Sequence, residues 1–351
     1  MYLAPIDPNR NTFSDPGHYV WCGSPVRAAP GRWLLFYSRW RHGTSSAGQD
    51  FDGFRGWLRH SEIAVAEAAE PTGPYRHLRV VLRGSDDPGR WDTYNAHNPL
   101  VVVDEAGRAL LYYVANNPGN TPPPHRARLN TVWDVHQAGQ RIGVAVADSV
   151  DALAAGRLVR ADEPLNAPDY RTSFRMAVNP AVTRAPDGRW LLAYKTWDRQ
   201  DNGRYTLRLG TADAPEGPFA PAGEMLHGTA LQTEDPYLWW DAGYDRYRAV
   251  VKDFAPVRSG ALTPQFGALG LLESADGRHW APAAEPLLSL RRLTTLDGGQ
   301  VELAHLERPH VLLDGGRPVA LFAAAAFGDP FGDSSSHPRH TTFNLAIPLR
   351  G

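Results

Sequence analysis

The stretch "NPAVTRAPDGRWLLAYKTW", Asn179 to Trp197, sets out the grammar of the whole chain. A polar residue stands before a proline, an apolar run follows, and "PDG" then supplies residues that tolerate a tight reversal. A second apolar run rich in aromatics completes a β-hairpin. The same order recurs in "SPVRAAPGRWLLFYSRW" from Ser24 and "NPLVVVDEAGRALLYYVAN" from Asn98. It recurs again in "DPYLWWDAGYDRYRAVVKDF" from Asp235 and "RPHVLLDGGRPVALFAAA" from Arg308. The anchoring prolines are 74, 81, 56 and 73 residues apart, so constant strands are separated by insertions of unequal length.

A third strand follows each of the first four hairpins: "SEIAVAEAAEPTGPY", "QRIGVAVADSVDA", "YTLRLGTADAPEGPF" and "GALGLLESADGRHW". "TTFNLAIPLR" ends the fifth unit, and "RVVLRG", "RLVRADEPL" and "EPLLSL" read as short fourth strands. Five units of four antiparallel strands predict an all-β fold, a five-bladed β-propeller around a central funnel. The blades are expected at about 19–84, 93–165, 174–228, 232–290 and 301–351, in one domain. The fifth unit lacks a fourth strand, and "MYLAPI" is expected to supply it, covering an exposed sheet edge.

The composition agrees. Among 351 residues there are 33 Gly and 30 Pro, which suits many short strands and tight turns. A net charge of −2 argues against a nucleic-acid partner, which calls for a basic stripe. No apolar run is long enough to span a membrane. Cys22 is the single cysteine, so no internal disulfide can form, and "MYLAPIDPNRNTF" has no hydrophobic leader. The expectation is a cytoplasmic protein. His18, His97, His136 and His310 show no metal-ligand spacing and no cofactor is expected, while a structural cation held at the axis by carbonyls or water stays open.

In a propeller the first strand of each blade runs along the axis. The residues before the anchor prolines are Ser24, Asn98, Asn179, Asp235 and Arg308, all polar, with His97, Glu234 and Glu307 among those preceding them. A polar ring contributed once per blade suits a ligand bearing many hydroxyls, although such residues also cap strands. Asp235, Glu307 and Glu234 are the candidate catalytic carboxylates, because glycoside hydrolysis needs two. Neighbours on a strand point to opposite faces, so Glu234 and Asp235 should divide their roles. Arg39, Lys195 and Lys252 close the hairpins. With Arg175 and Arg308 they are expected to form a cationic collar, which either holds an anionic substrate group or neutralises the carboxylates. Trp40 and Trp197 stand where an aromatic face could stack on a sugar, and core packing is the plainer account of any one of them. The insertions "RHGTSSAGQDFDGFRGW", "NNPGNTPPPHRARLNTVWDVHQ" and "EPLNAPDYRTSFRM" are long enough to roof the pocket, with Asp134 and Arg175 at their edges.

So laid out, the chain resembles the five-bladed propeller glycosidases of glycoside hydrolase families 43, 32 and 117. The "DP" of "TEDPYLWW", the "NP" of "AHNPLVVV", and "ADAPEGPF" with "ESADGRHW" carry the likeness from about Phe13 to Leu349. "VWCGSPV", "QRIGVAVADS" and "LERPHVLL" resemble bacterial proteins known only as glycoside hydrolases. The resemblance implies a glycoside hydrolase acting on an oligosaccharide, with Asp235 matching the family's "DP", while the long loops point to attack at a terminal sugar and the collar to an anionic group on it. Those families place a catalytic Asp at the head of the first blade, where this chain has Cys22, Gly23 and Ser24. Asp15, Asp235 or Glu307 would have to supply the missing carboxylate, and an apolar setting would make Glu234 or Glu307 the general acid. Two alternatives stay open: a phosphorylase of the family 130 type, with the collar holding phosphate, and a propeller that binds sugar without cleaving it.

Overall fold

A computed structural model describes residues 1–43, 45–126, 129–198, 204–255, 260–328, 330 and 342–350. Each of the first four hairpins opens a four-stranded antiparallel sheet, and the fifth opens a five-stranded one in which Thr12–Phe13 also pairs with Asn344 and Leu345. Blade 1 comprises His18–Ala29, Arg32–Arg41, Glu62–Ala68 and Arg76–Leu82. Blade 2 comprises His97–Val103, Ala109–Asn116, Gln140–Ala147 and Val159–Arg160. Blade 3 runs through Ser173–Arg184, Trp190–Asp198, Tyr205–Ala212 and Ala220–Glu224. Blade 4 runs through Thr233–Asp241, Arg246–Asp253, Leu269–Ser274 and Ala281–Ser289. Blade 5 has His305–Asp314, Arg317–Ala326 and Thr342–Arg350. Thr341, which opens "TTFNLAIPLR", lies outside the described residues. Tyr2–Leu3 pairs with Arg350 and Leu349 as the outer strand of blade 5, so the two ends of the described chain close the ring.

Apolar side chains alternate across these strands and meet those of the next blade. Leu34, Phe36, Val101 and Leu111 bury the interface of blades 1 and 2, and Leu110, Tyr112 and Leu192 that of blades 2 and 3. Leu191, Leu207 and Ala249 continue between blades 3 and 4, and Val250, Leu271 and Val311 between blades 4 and 5. Leu35, Tyr37, Phe322 and Ala346 seal blade 5 against blade 1. Every interface therefore carries its own core, and no blade is covered without both neighbours.

Each inner strand is broken by a bulge at the same level. The ladder shifts register between Trp21 and Gly23, His97 and Leu100, Val178 and Ala181, Glu234 and Tyr237, and Glu307 and His310. The bulged residues have left-handed backbones: φ is 50° at Cys22, 53° at Asn98, 58° at Asn179, 56° at Asp235 and 52° at Arg308. Asn and Asp tolerate this region, whereas Cys and Arg enter it at a cost. Proline follows in four blades, at a site where the missing N–H interrupts no ladder bond. Blade 1 has Gly23 instead, because a Cβ there would come within 2.9 Å of Asn344 Oδ1 and Leu35 Cδ1.

Candidate functional site

The bulges turn five side chains toward the axis, where they bond to one another. The Cys22 thiol donates to Asn98 Oδ1 at 2.6 Å, and Asn98 Nδ2 donates to Asn179 Oδ1 at 2.6 Å. Asn179 Nδ2 donates to Asp235 Oδ1 at 2.5 Å, and the Arg308 backbone N–H donates to Asp235 Oδ2 at 3.1 Å. Four residues expected at this level are present, while Ser24 is not. The blade 1 member is Cys22. Ser24 lies beyond the bulge, and its buried hydroxyl accepts from Val101 N at 2.9 Å, tying blade 1 to blade 2. The signal was in the sequence: "GRWLL" occurs in both hairpins, and counting back from Trp33 and Trp190 sets Cys22 level with Asn179.

A cavity of about 200 Å³ opens above the ring. Asn98, Asn179, Asp235 and Arg308 form its floor, Glu234, Glu307 and Lys195 its polar wall, and Trp21, Phe54 and Trp57 an aromatic wall. Gln137, Gln140, Met176 and Val178 complete the lining. Phe54, Trp57, Gln137 and Met176 lie in the insertions expected to roof the pocket, and Trp21 and Gln140 in other stretches quoted above, but nothing in the sequence singled them out as lining residues. Phe54 and Trp57 come from the first insertion. Gln137 comes from the helix Val132–Ala138 in the second, whose start is fixed by a Thr131–Asp134 capping box. The two insertions lock edge to face through Trp57 and Trp133 at 5.7 Å and through Phe51 and His136 at 4.9 Å. His136 Nδ1 lies 2.8 Å from Asn116 Oδ1, anchoring the roof to blade 2.

The carboxylates are unlike one another. Glu234 is bound by Lys195 and by Lys252 Nζ, the latter at 2.8 Å. The same Lys252 Nζ lies 2.5 Å from Glu307 Oε1, which His305 Nδ1 approaches at 3.0 Å. Burial works against ionisation at both, but the ammonium groups outweigh it. Glu234 is held below the ordinary glutamate value by Lys195 and Lys252, and Glu307 well below it by Lys252 and His305. Asp235 moves the other way: burial and then the charge of Glu234 push it up, against the pull of Arg308. The carboxyl raised by its surroundings is therefore Asp235, whereas the sequence pointed to Glu234 or Glu307. Lys195 and Lys252 are spent neutralising carboxylates.

Several expected lining residues fall outside the cavity. Arg39 is held by Asp15 at 2.7 Å and Glu62 at 2.9 Å, and Asp15 also accepts from Tyr37, so neither reaches the carboxylates. Trp40 is buried against Tyr19 and Phe54, beneath the roof. His97 stacks under Trp57 at 4.8 Å with Nδ1 at 2.8 Å from Ser61 Oγ, and burial lowers it to about 3, so it stays neutral. Arg175 lies over the Trp197 ring at 4.3 Å and 3.8 Å from Asp134, joining blade 3 to the roof helix. The described residues contain no cluster of side chains suited to a metal ion. None of their helices is long and apolar enough to cross a membrane.

No protein-family model matches the sequence, and no curated protein matches it. Solved structures do match. A family 117 glycoside hydrolase from the marine bacterium Zobellia galactanivorans is similar with a TM-score of 0.58 at 15% identity, covering 99% of this chain and 88% of its own. A thermostable family-43 glycoside hydrolase is similar with a TM-score of 0.59 at 13% identity, covering 100% and 93%. An α-L-arabinofuranosidase from Lactobacillus brevis is similar with a TM-score of 0.59 at 10% identity, covering 95% and 91%. The chain thus has the five-bladed propeller fold on which these glycoside hydrolases are built.

Proposed function

We propose that the protein is a glycoside hydrolase that removes a terminal sugar from an oligosaccharide. The observation that carries this reading is the opposite bias of three carboxylates around one cavity. Glu234 and Glu307 are held ionised by lysines, while Asp235 is pushed toward its protonated form. Groups driven apart in this way mark one carboxyl as a proton donor and the others as fixed charges. Asp235 gives its proton to the glycosidic oxygen as the bond to the anomeric carbon breaks. Glu307 is too firmly ionised to be a good base, and its charge stabilises the positive anomeric carbon. Water then adds there and returns a proton to Asp235. Trp21 and Trp57 offer apolar faces for the sugar ring.

Attack at chain ends is supported by the roof and by size. A volume of about 200 Å³ is small beside the roughly 300–1,000 Å³ of pockets that hold drug-sized ligands, and it suits one sugar ring. A phosphate-holding basic cluster finds little support, since both lysines are already paired. The test is a set of aryl glycosides with good and poor leaving groups. Asp235→Asn should lower kcat/KM by roughly 10²–10⁴-fold on poor leaving groups and far less on good ones. Glu307→Gln should be impaired on both. Full activity in both variants would sink the assignment.

A further inference from the structure

Arg308 is the fifth member of the axial ring and the one that carries a positive charge. Its side chain borders the cavity and is nine-tenths buried. The guanidinium is poorly matched there. Nη1 lies 3.6 Å from Asp235 Oδ1, beyond hydrogen-bond range, and Nε and Nη1 have no hydrogen-bond partner among the described residues. Donors buried with charge and left unmatched are costly, so they mark a place where a partner is missing. Lys195, by contrast, is paired with Glu234, and Lys252 with both Glu234 and Glu307. Two ammonium groups serve two carboxylates, and Arg308, whose pairing with Asp235 is long, keeps guanidinium donors at the cavity that no described residue matches.

Resting on the glycoside reading above, we propose that Arg308 is the carboxylate-recognition residue of the cavity and that the sugar held there is a uronic acid. A planar carboxylate matches a planar guanidinium, and a single guanidinium matches a single negative charge better than a doubly charged phosphate. Binding also serves the chemistry. A substrate carboxylate on Arg308 cancels the cation that favours the ionised form of Asp235 and so moves Asp235 further toward its protonated form.

The test is calorimetric titration with D-glucuronate, D-galacturonate, D-glucose, D-galactose and inorganic phosphate, in the wild type and in Arg308→Gln and Arg308→Lys. One uronate should bind about 10- to 100-fold tighter than its neutral counterpart. That ratio should fall close to one in Arg308→Gln. In Arg308→Lys, which keeps the charge and loses the fork, it should fall partway. Circular dichroism melts check folding, and Arg308→Lys carries the test if Arg308→Gln does not fold. The proposal is overturned if neutral sugars bind as tightly as uronates, if phosphate binds more tightly than either uronate, or if no sugar binds. No turnover is required. Uronate binding by a protein that cleaves no uronide would overturn the hydrolase reading and leave the Arg308 subsite standing.

Discussion

Replacing Lys252 with methionine removes the ammonium that Glu234 and Glu307 share. Its Nζ sits 2.8 Å from one Oε1 and 2.5 Å from the other. Those two oxygens then face each other across at most roughly 5.3 Å, a separation at which unit charges repel by about 3 kcal/mol at an effective dielectric of 20. That is about two pK units, and it agrees with the roughly 3–5 kcal/mol lost when one partner of a buried pair is removed. Lys195 still serves Glu234, so the uncompensated charge falls mainly on Glu307.

The sign of the pH dependence follows. In the wild type both glutamates have folded values below the ordinary 4.5, so their contribution is present above that value and fades as pH falls through the folded value. In Lys252→Met, Glu307 should titrate above its unfolded value, and stability should rise as pH drops from 8 toward 5. Urea unfolding followed by tryptophan fluorescence reads this directly. At pH 8 the variant should be about 3 kcal/mol less stable than the wild type, with the gap narrowing at pH 5. Lys252→Arg should stay close to the wild type at both. A gap that is small and the same at both pH values would refute the shared-ammonium account.

Two other outcomes are expected. Asn98 is left-handed and bonds to both Cys22 and Asn179. Asn98→Val should cost about 1–3 kcal/mol more than Asn98→Gly in urea unfolding, because a β-branched residue resists that backbone and glycine does not. Cys22 is buried, and burial pushes its thiol up. A thiol reagent at pH 8 should therefore leave the native protein untouched and label it fully in denaturant. Rapid labelling of the folded protein would place Cys22 elsewhere than in the axial ring.

Hairpin grammar is local, which is why the blades were legible. An apolar strand, a turn that supplies positive φ and an aromatic strand can each be read within twenty residues, and five copies leave little choice of fold. The closing strand Tyr2–Leu3 was legible for the same reason, since a blade short of one strand needs an edge. The ring was legible in four blades, where proline marks the bulge at Asn98, Asn179, Asp235 and Arg308. It was misread in the first, where Gly23 takes the proline's place and Pro25 lies two residues later.

The repeat, the wheel it builds, and the set of carboxylates and cations near its axis follow from local pattern alone. How those charges are shared follows from the packed fold, which sets Lys195 on Glu234, Lys252 on Glu234 and Glu307, leaves Asp235 raised and Arg308 with unmatched donors, and sends Arg39 to Asp15 and Glu62. Strand and turn preferences act between neighbours in the chain, whereas ionisation depends on distance and burial among side chains as far apart in sequence as Lys252 and Glu307.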